Sequence, residues 1–470
     1  MERGVYIGGV WQPVTDDAPT IRVTNPADEQ VIAVVTAATE QDVDAAVTAA
    51  RTALPGWAAT PPAERAAHLA SLESGLRARV RELAATITAE LGSPLALSRM
   101  VHVRTPLTVL ASYAELTARH PFEERIGNSL VLHEPVGVVG AITPWNYPLH
   151  QVISKVAPAL AAGCTIVVKP SDLTPLTTRL LTECVAAAGL PDGVFNLVTG
   201  GETAGRALVA HPGVDLVSFT GSTRVGRQVA AVAAGAVKRV ALELGGKSAN
   251  VILPSARLDR AVRAGVSNVF TNSGQTCSTW SRMLVHESRY EEAVALAAEA
   301  AAGYAPGDPL DPATLMGPLV DSGQRDRVRA CVVRGVEEGA RLVTGGPEAP
   351  EGLPKGYFVR PTVFADVTED MSLAQDEIFG PVLSIMRYTD EDDAVRIANG
   401  TVYGLAGAVW AAEVPEALAF ARRLDTGQVD INGGRFNPLA PFGGHKQSGI
   451  GRELGVHGLT EFLQTKSLQM

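Results

Sequence analysis

Short runs of aliphatic and β-branched residues with no polar face alternate along this chain with longer segments whose apolar positions recur every three or four residues. Runs of the first kind lie at 136–142, 164–169, 193–198 and 214–220. The first stops at Thr143-Pro144 and the second at Pro170, while 176–189 between them has helical spacing and ends on Gly189. Strands that are apolar on both faces and alternate with helices predict a parallel sheet covered on both sides. Upstream, 39–50, 62–91 and 99–119 read as helices. A second alternating series follows Gly246, with strands expected at 249–253, 283–286, 340–344, 382–388 and 405–410. Its helices are expected around 291–302, 322–338 and 414–424. No short-period repeat or low-complexity spacer interrupts the pattern, so the fold class is α/β: two parallel-sheet units with smaller appended pieces.

Length and composition agree with that reading. At about 150 residues per domain, 470 residues make roughly three domain-sized units. Hydrophobic residues are 46% and charged residues 19%, which is globular composition. The net charge of −10 is spread along the chain, and no basic patch offers a footprint for nucleic acid or an anionic membrane. Cys164, Cys184, Cys277 and Cys331 are too scattered for a disulfide framework, and neither they nor the nine histidines have metal-ligand spacing. Glu2 stands where a signal peptide has basic residues, and no apolar stretch reaches the ~20 residues of a membrane span. A reduced, cytoplasmic protein without a metal is the expectation.

Four segments could carry chemistry. Cys277 lies among small and polar residues, Asn272 to Ser278, where a buried structural cysteine usually has apolar neighbours; read alone, nucleophile and core residue are about equally supported. Glu243 closes an apolar run that ends at Gly245-Gly246. Partial burial there would raise its pKa toward the range of a general base, while an edge acid facing water is the plainer alternative. Asn146, in Pro144-Trp145-Asn146-Tyr147-Pro148, follows a buried strand and could donate to an oxyanion, or be an ordinary turn residue. After the strand at 214–220, Gly221 to Gly226 leads into a helix, and backbone N–H groups at a helix start make a pyrophosphate seat. The Gly-x-Gly-x-x-Gly fingerprint is absent. Gly246-Lys247-Ser248 imitates the end of a P-loop, but Ala241 occupies the position of its first glycine. No Gly-x-Ser-x-Gly elbow supports a serine hydrolase.

Taken in order, these segments resemble the aldehyde dehydrogenase superfamily. The likeness rests on Pro144-Trp145-Asn146-Tyr147-Pro148, Lys169-Pro170-Ser171-Asp172, Phe219-Thr220-Gly221-Ser222-Thr223 and Glu243-Leu244-Gly245-Gly246-Lys247. Gly274-Gln275-Thr276-Cys277, Glu377-Ile378-Phe379-Gly380-Pro381, and Pro441-Phe442-Gly443-Gly444 through Gly451-Arg452-Glu453 complete it. It spans essentially the whole chain.

The resemblance implies a variant Rossmann coenzyme domain over 1–117 and 136–246 and a catalytic domain over 247–447. A small β oligomerisation extension would take 118–135 and 448–470, and the partner would be a second copy, as homodimer or homotetramer. By the same likeness Cys277 attacks an aldehyde, Asn146 and the Cys277 N–H hold the oxyanion, and Glu243 activates water to release a carboxylic acid. Lys155 and Glu453 match the proton-relay pair. Lys169 and Asp172 match residues on the adenine ribose, Glu377 the nicotinamide ribose ligand, and Phe379 the residue beside the ring. Ile142, Trp145, Ser171, Phe219, Gly221, Ser222, Val225 and Leu244 line the remainder. NAD-preferring members usually carry Glu at the place of Asp172; an acid there repels a 2′-phosphate, so NAD is expected over NADP, with dual use left open by the shorter side chain. Glu243 itself favours the non-acylating branch, since members that pass the acyl group to coenzyme A commonly lack it. The substrate wall would include Tyr147, His150, Gln151, Ser154, Thr276, Ser278, Arg435 and Phe442. Arg435 either meets an anionic tail on the aldehyde or points to solvent or an ion pair. Two other readings stand beside this one: a cysteine hydrolase or acyltransferase on Cys277, and a non-catalytic binding protein. The first needs a histidine base and finds only His286 nearby in sequence, on an expected strand. The second predicts loss of Cys277, Glu243 or Asn146, and all three are present.

Overall fold

The computed structural model describes residues 3–14 and 18–470. Met1 and Glu2, read above for a leader, and residues 15–17 lie outside the described residues, although the 1–117 boundary includes them. Two large sheets carry the chain. In the first, five parallel strands lie in the spatial order Phe195–Val198, Thr165–Lys169, Val138–Ile142, Leu216–Thr220 and Arg239–Glu243. In the second, the parallel strands run Val382–Tyr388, Arg282–His286, Ala249–Ile252, Ala406–Trp410 and Gln428–Ile431. In the first the chain moves outward in one direction for three strands, then returns to the first and continues on its other side; the second does likewise, except that Thr362–Ala365 is laid farther out, also parallel, before Val382–Tyr388 fills the place inside it. Such a reversal opens a crevice at the carboxyl ends of the two strands flanking it.

The apolar runs lack a polar face because each strand feeds two cores. Val139, Ala141, Ile166 and Val168 pack with Val152 and Val156 of helix Pro148–Ala162. Their sequence neighbours Val138 and Val167, with Val217 of the adjacent strand, pack instead with Val43, Val47 and Leu208 on the opposite side. The second sheet repeats the arrangement, with Val251 and Leu284 on one face and Ile252, Met283 and Val285 on the other. Full burial of one such side chain contributes about 1.5–3 kcal/mol.

A third, antiparallel sheet of Glu123–Ile126, Ser129–Pro135 and Leu463–Gln469 stands at the surface, and six of the seven residues in its last strand are exposed. Of the stretch 448–470 only this strand belongs to it. Gly449–Ile450 pair antiparallel with Leu242 and Glu243 of the first sheet.

The helices differ from the expectation in three places. The segment 62–91 is two helices, Pro62–Ala78 and Val80–Leu91, broken at Arg79, whose guanidinium bonds Glu82 and Glu183. The helix expected over 39–50 continues as Glu40–Ala59 through Pro55. Helix Arg104–Arg119 is preceded by a π-helical turn, Ser98–Val103. Two hairpins near the start, Val5–Ile7 with Val10–Trp11 and Thr20–Thr24 with Val31–Thr36, are further elements that the sequence reading does not include, although 31–35 is an apolar run.

Candidate active site

The carboxyl edge of the first sheet faces the amino edge of the second. Ile142, Lys169, Thr220 and Glu243 each end a strand of the first sheet, and Trp145, Asp172, Ser222 and Leu244 follow within three residues. From the second sheet come Gly245 to Lys247 before Ala249–Ile252, Cys277 before Arg282–His286, and Glu377 to Phe379 before Val382–Tyr388. Between the edges lies a cleft of about 170 Å³, lined among others by Trp145, Asn146, Gln151, Gly221, Ser222, Leu244, Cys277, Glu377 and Phe379.

The loop ahead of Cys277 is strained and held by several side-chain bonds. Helix Leu258–Phe270 ends, and Asn272, Ser273 and Gly274 take the left-handed conformation in succession, with φ of 53°, 56° and 75°. For the two residues that are not glycine this costs about 1–2 kcal/mol each. Asn272 Nδ2 donates to the Asn146 carbonyl at 3.0 Å and to that of Gln275 at 3.3 Å. Ser273 Oγ donates to the Gly317 carbonyl at 2.8 Å, and Gln275 Oε1 accepts from the Val320 N–H at 2.9 Å. On the other side, a Cβ at Gly246 would stand 2.4 Å from the Cys277 carbonyl, so only glycine lets the two edges meet here. Burial, followed by the negative charges of Glu377, Glu243 and Glu453, pushes the Cys277 thiol up, while the Ser278 N–H draws it down.

Asn146 Nδ2 donates to the Gln275 carbonyl at 3.1 Å, which uses one of its two hydrogens and leaves one for a ligand. Its Oδ1 is buried without a partner. Glu243 is buried, with Oε2 unpartnered, and Gly443 leaves it room, since a Cβ there would come within 2.7 Å of Oε1. Burial raises the Glu243 carboxyl well above the ordinary glutamate range, Glu453 raises it further, and Lys155 and Arg452 oppose them. Lys155, in the wall of helix Pro148–Ala162, donates to Glu453 at 2.6 Å and to Thr220 Oγ1 at 2.8 Å. Glu453 is held by a two-way backbone bridge with Phe442, at 2.8 and 2.7 Å.

Toward the other end of the cleft, Ser222 caps helix Thr223–Gly235 by accepting from the Val225 N–H at 3.4 Å, and the Phe219 ring lies against Gly221. Phe379 has φ of 59° and meets the Trp145 ring edge-on at 5.3 Å. Glu377 Oε1 accepts from the Gly246 N–H at 3.2 Å, and burial brings its carboxyl up to about 7. Lys169 ends strand Thr165–Lys169 and Asp172 lies in the turn just after it, both outside the cleft lining, with 3.9 Å between Nζ and Oδ1. Asp172 Oδ1 is buried and unpartnered; burial raises its carboxyl, and Lys169 and the Gly200 N–H lower it. Ser171 Oγ already accepts from the Leu173 N–H at 3.2 Å.

Of the expected substrate wall, Tyr147 and Thr276 meet through their hydroxyls at 2.8 Å, and Ser154 lies 3.5 Å from His150 Nε2. Gln151 is buried with Oε1 unpartnered, and Ser278 is half-buried beside the cysteine. Phe442 and His150 both approach Phe436, at 6.3 and 6.4 Å between ring centres. Arg435 is exposed on that same loop. The sequence reading gave no role to Asn272, Gln275, Thr220, Gln324 or Arg327, all of which touch the site. Gln275 lies in the string Gly274-Gln275-Thr276-Cys277, where its place beside the cysteine is a legible signal. Gln324 and Arg327 lie on a polar helix that offers no signal.

A family model described as the aldehyde dehydrogenase family matches residues 11–468. Over 469 residues the chain is 46% identical to a 3-succinoylsemialdehyde-pyridine dehydrogenase of Pseudomonas sp., covering 99% of this chain and 98% of that protein. Among solved structures it is similar to aldehyde dehydrogenase C of Pseudomonas syringae, a mutant complexed with NAD+ and octanal, with a TM-score of 0.98 and 45% identity. That match covers 99% of this chain and 96% of the other. A Mycobacterium tuberculosis aldehyde dehydrogenase complexed with NAD+ is 44% identical with a TM-score of 0.97, over 100% of this chain and 98% of that one.

Proposed function

Because the chain belongs to the aldehyde dehydrogenase family, we propose that it oxidises an aldehyde to the free carboxylic acid with NAD+ through an acyl intermediate on Cys277. The observation that carries this reading is a thiol and an amide with one N–H to spare lining one cleft, with the buried, unpartnered carboxyl of Glu243 just behind the lining residue Leu244 and near enough for its charge to act on the thiol. The Cys277 thiolate adds to the carbonyl carbon, and the oxygen takes the negative charge, with Asn146 Nδ2 and the Cys277 N–H as its donors. NAD+, when bound, supplies the acceptor for the hydride that the adduct loses as it becomes a thioester. Ionised Glu243 then takes a proton from water, the resulting hydroxide adds to the thioester, and the carbon–sulfur bond breaks to release acid and thiolate. Lys155 and Glu453 lead the proton away. Glu243 supports hydrolysis over transfer to coenzyme A.

The residues present fit the coenzyme. The orphaned Asp172 Oδ1 and neighbouring Lys169 suit ribose hydroxyls, and the N–H groups at the start of helix Thr223–Gly235 suit a pyrophosphate. Glu377 would hold the second ribose, with Trp145 and Phe379 beside the ring. The acid at 172 repels a 2′-phosphate. The expected kcat/KM is at least about tenfold higher with NAD+ than with NADP+, equivalent to about 1.4 kcal/mol, and Asp172→Ser narrows the gap. A preference for NADP+ in the unaltered protein defeats this assignment.

Substrate class is read from the mouth. The Pseudomonas relative is named for a semialdehyde, and the P. syringae structure holds octanal. Arg435, exposed and in no ion pair among the described residues, supports a substrate whose far end is anionic. Arg435→Ala is expected to lower kcat/KM about tenfold for an acid-tailed aldehyde and little for a neutral one of equal length. Equal losses on both would remove Arg435 from recognition. The exposed third sheet supports self-assembly as a dimer or tetramer, and the four free cysteines support a reducing cytoplasm. Among the described residues no helix is long and apolar enough to cross a membrane.

A further inference from the structure

His102 has no part in the chemistry described so far, yet it is fully buried directly behind that chemistry. It lies on the π-helical turn Ser98–Val103, an irregularity that adds a residue to the winding and is often found at functional sites. Its ring stacks on that of Tyr147, with centres 4.6 Å apart and planes 18° from parallel. Tyr147 in turn reaches Thr276, the residue before the nucleophile.

Neither nitrogen of His102 has a hydrogen-bond partner of ordinary geometry, and unpaired buried donors are costly, by about 1–3 kcal/mol. The ring faces Asn272, whose Oδ1 is likewise buried and without a partner. Burial draws the His102 pKa down to about 3, so the imidazole is neutral and carries one N–H. Two adjacent groups thus each lack what the other has. Asn272 uses its amide nitrogen on the backbone of Asn146 and of Gln275, and Asn146 returns a bond to Gln275. An N–H from His102 to Oδ1 would fix which way that amide faces.

Resting on the reading of Cys277 as the acyl-forming nucleophile, we propose that His102 is a positioning residue: it orients the Asn272 amide, and through it the oxyanion donor Asn146.

Two reagents without coenzyme separate this role from a general structural one. p-Nitrophenyl acetate acylates the sulfur: the thiolate adds to the carbonyl, an oxyanion forms, and p-nitrophenolate leaves with its electron pair. Iodoacetamide alkylates the same sulfur by displacing iodide at a saturated carbon, with no oxyanion. His102→Phe keeps a flat ring against Tyr147 and removes the N–H. The expected result is acylation slower by at least about tenfold, with alkylation within about twofold of the unaltered protein. His102→Gln, which restores a donor, should recover part of the loss. Should His102→Phe not fold, Asn272→Gly keeps the left-handed backbone and is expected to show the same selective loss. Equal slowing of both reactions, or no slowing of acylation, overturns the proposal. If the unaltered protein releases p-nitrophenolate no faster than Cys277→Ala does, the nucleophile reading itself fails, a result distinct from either.

Discussion

Glu243→Gln is expected to leave a single-turnover burst of NADH in place while steady turnover falls by about 10²–10⁴, the usual worth of a general base. The amide keeps the shape of the carboxyl in its slot beside Gly443 but cannot accept a proton from water. The acyl group therefore forms once and stays. Mass spectrometry of the stalled protein should show the acyl adduct on Cys277, and unchanged steady turnover would remove Glu243 from the hydrolytic step. The direction of pH dependence follows from the same carboxyl. Its pKa lies well above the ordinary glutamate range, so below that pKa the group is protonated and idle, and thioester hydrolysis rises as pH increases through it. Lys155 lowers that pKa by its charge, so Lys155→Met should move the inflection to higher pH.

Cys277→Ala is expected to abolish both burst and turnover, a loss of about 10⁴-fold or more, because no remaining group can form the covalent adduct. NAD+ affinity, measured by calorimetry, should stay within about twofold, since none of the residues assigned to the riboses or pyrophosphate changes. Residual oxidation within about tenfold of the unaltered protein would sink the covalent route.

These residues could be found from the sequence because each sits in a short, unusual string at the edge of a recognisable strand. The strands themselves were legible for a physical reason: Val138 and Val139 must both be apolar, since each faces a different core. What escaped was whatever side-chain contacts decide late. Arg79 ends a helix that its propensity would continue, because Glu82 and Glu183 hold its guanidinium. The π-turn at Ser98–Val103 has no compositional mark, so His102 looked like one more helical residue. Asn272 is an ordinary turn residue until its φ of 53° and its two carbonyl partners are seen. Arg327 and Gln324 reach the cleft from a helix whose pattern says only that it is exposed.

The five residues from Leu244 to Ser248 are the direct crossing from one sheet to the other, at most about 17 Å of chain at full stretch. They are also pinned, with the Leu244 N–H on the Ser448 carbonyl at 2.8 Å and the Gly245 carbonyl on Ser448 Oγ at 2.7 Å. A crossing that short and that stapled fixes how the facing edges of the two sheets meet at this point. Glu243 just before this strip and Cys277 beyond it on the second sheet therefore owe their mutual spacing to a few clamped peptide units, not to the distant bulk of either half.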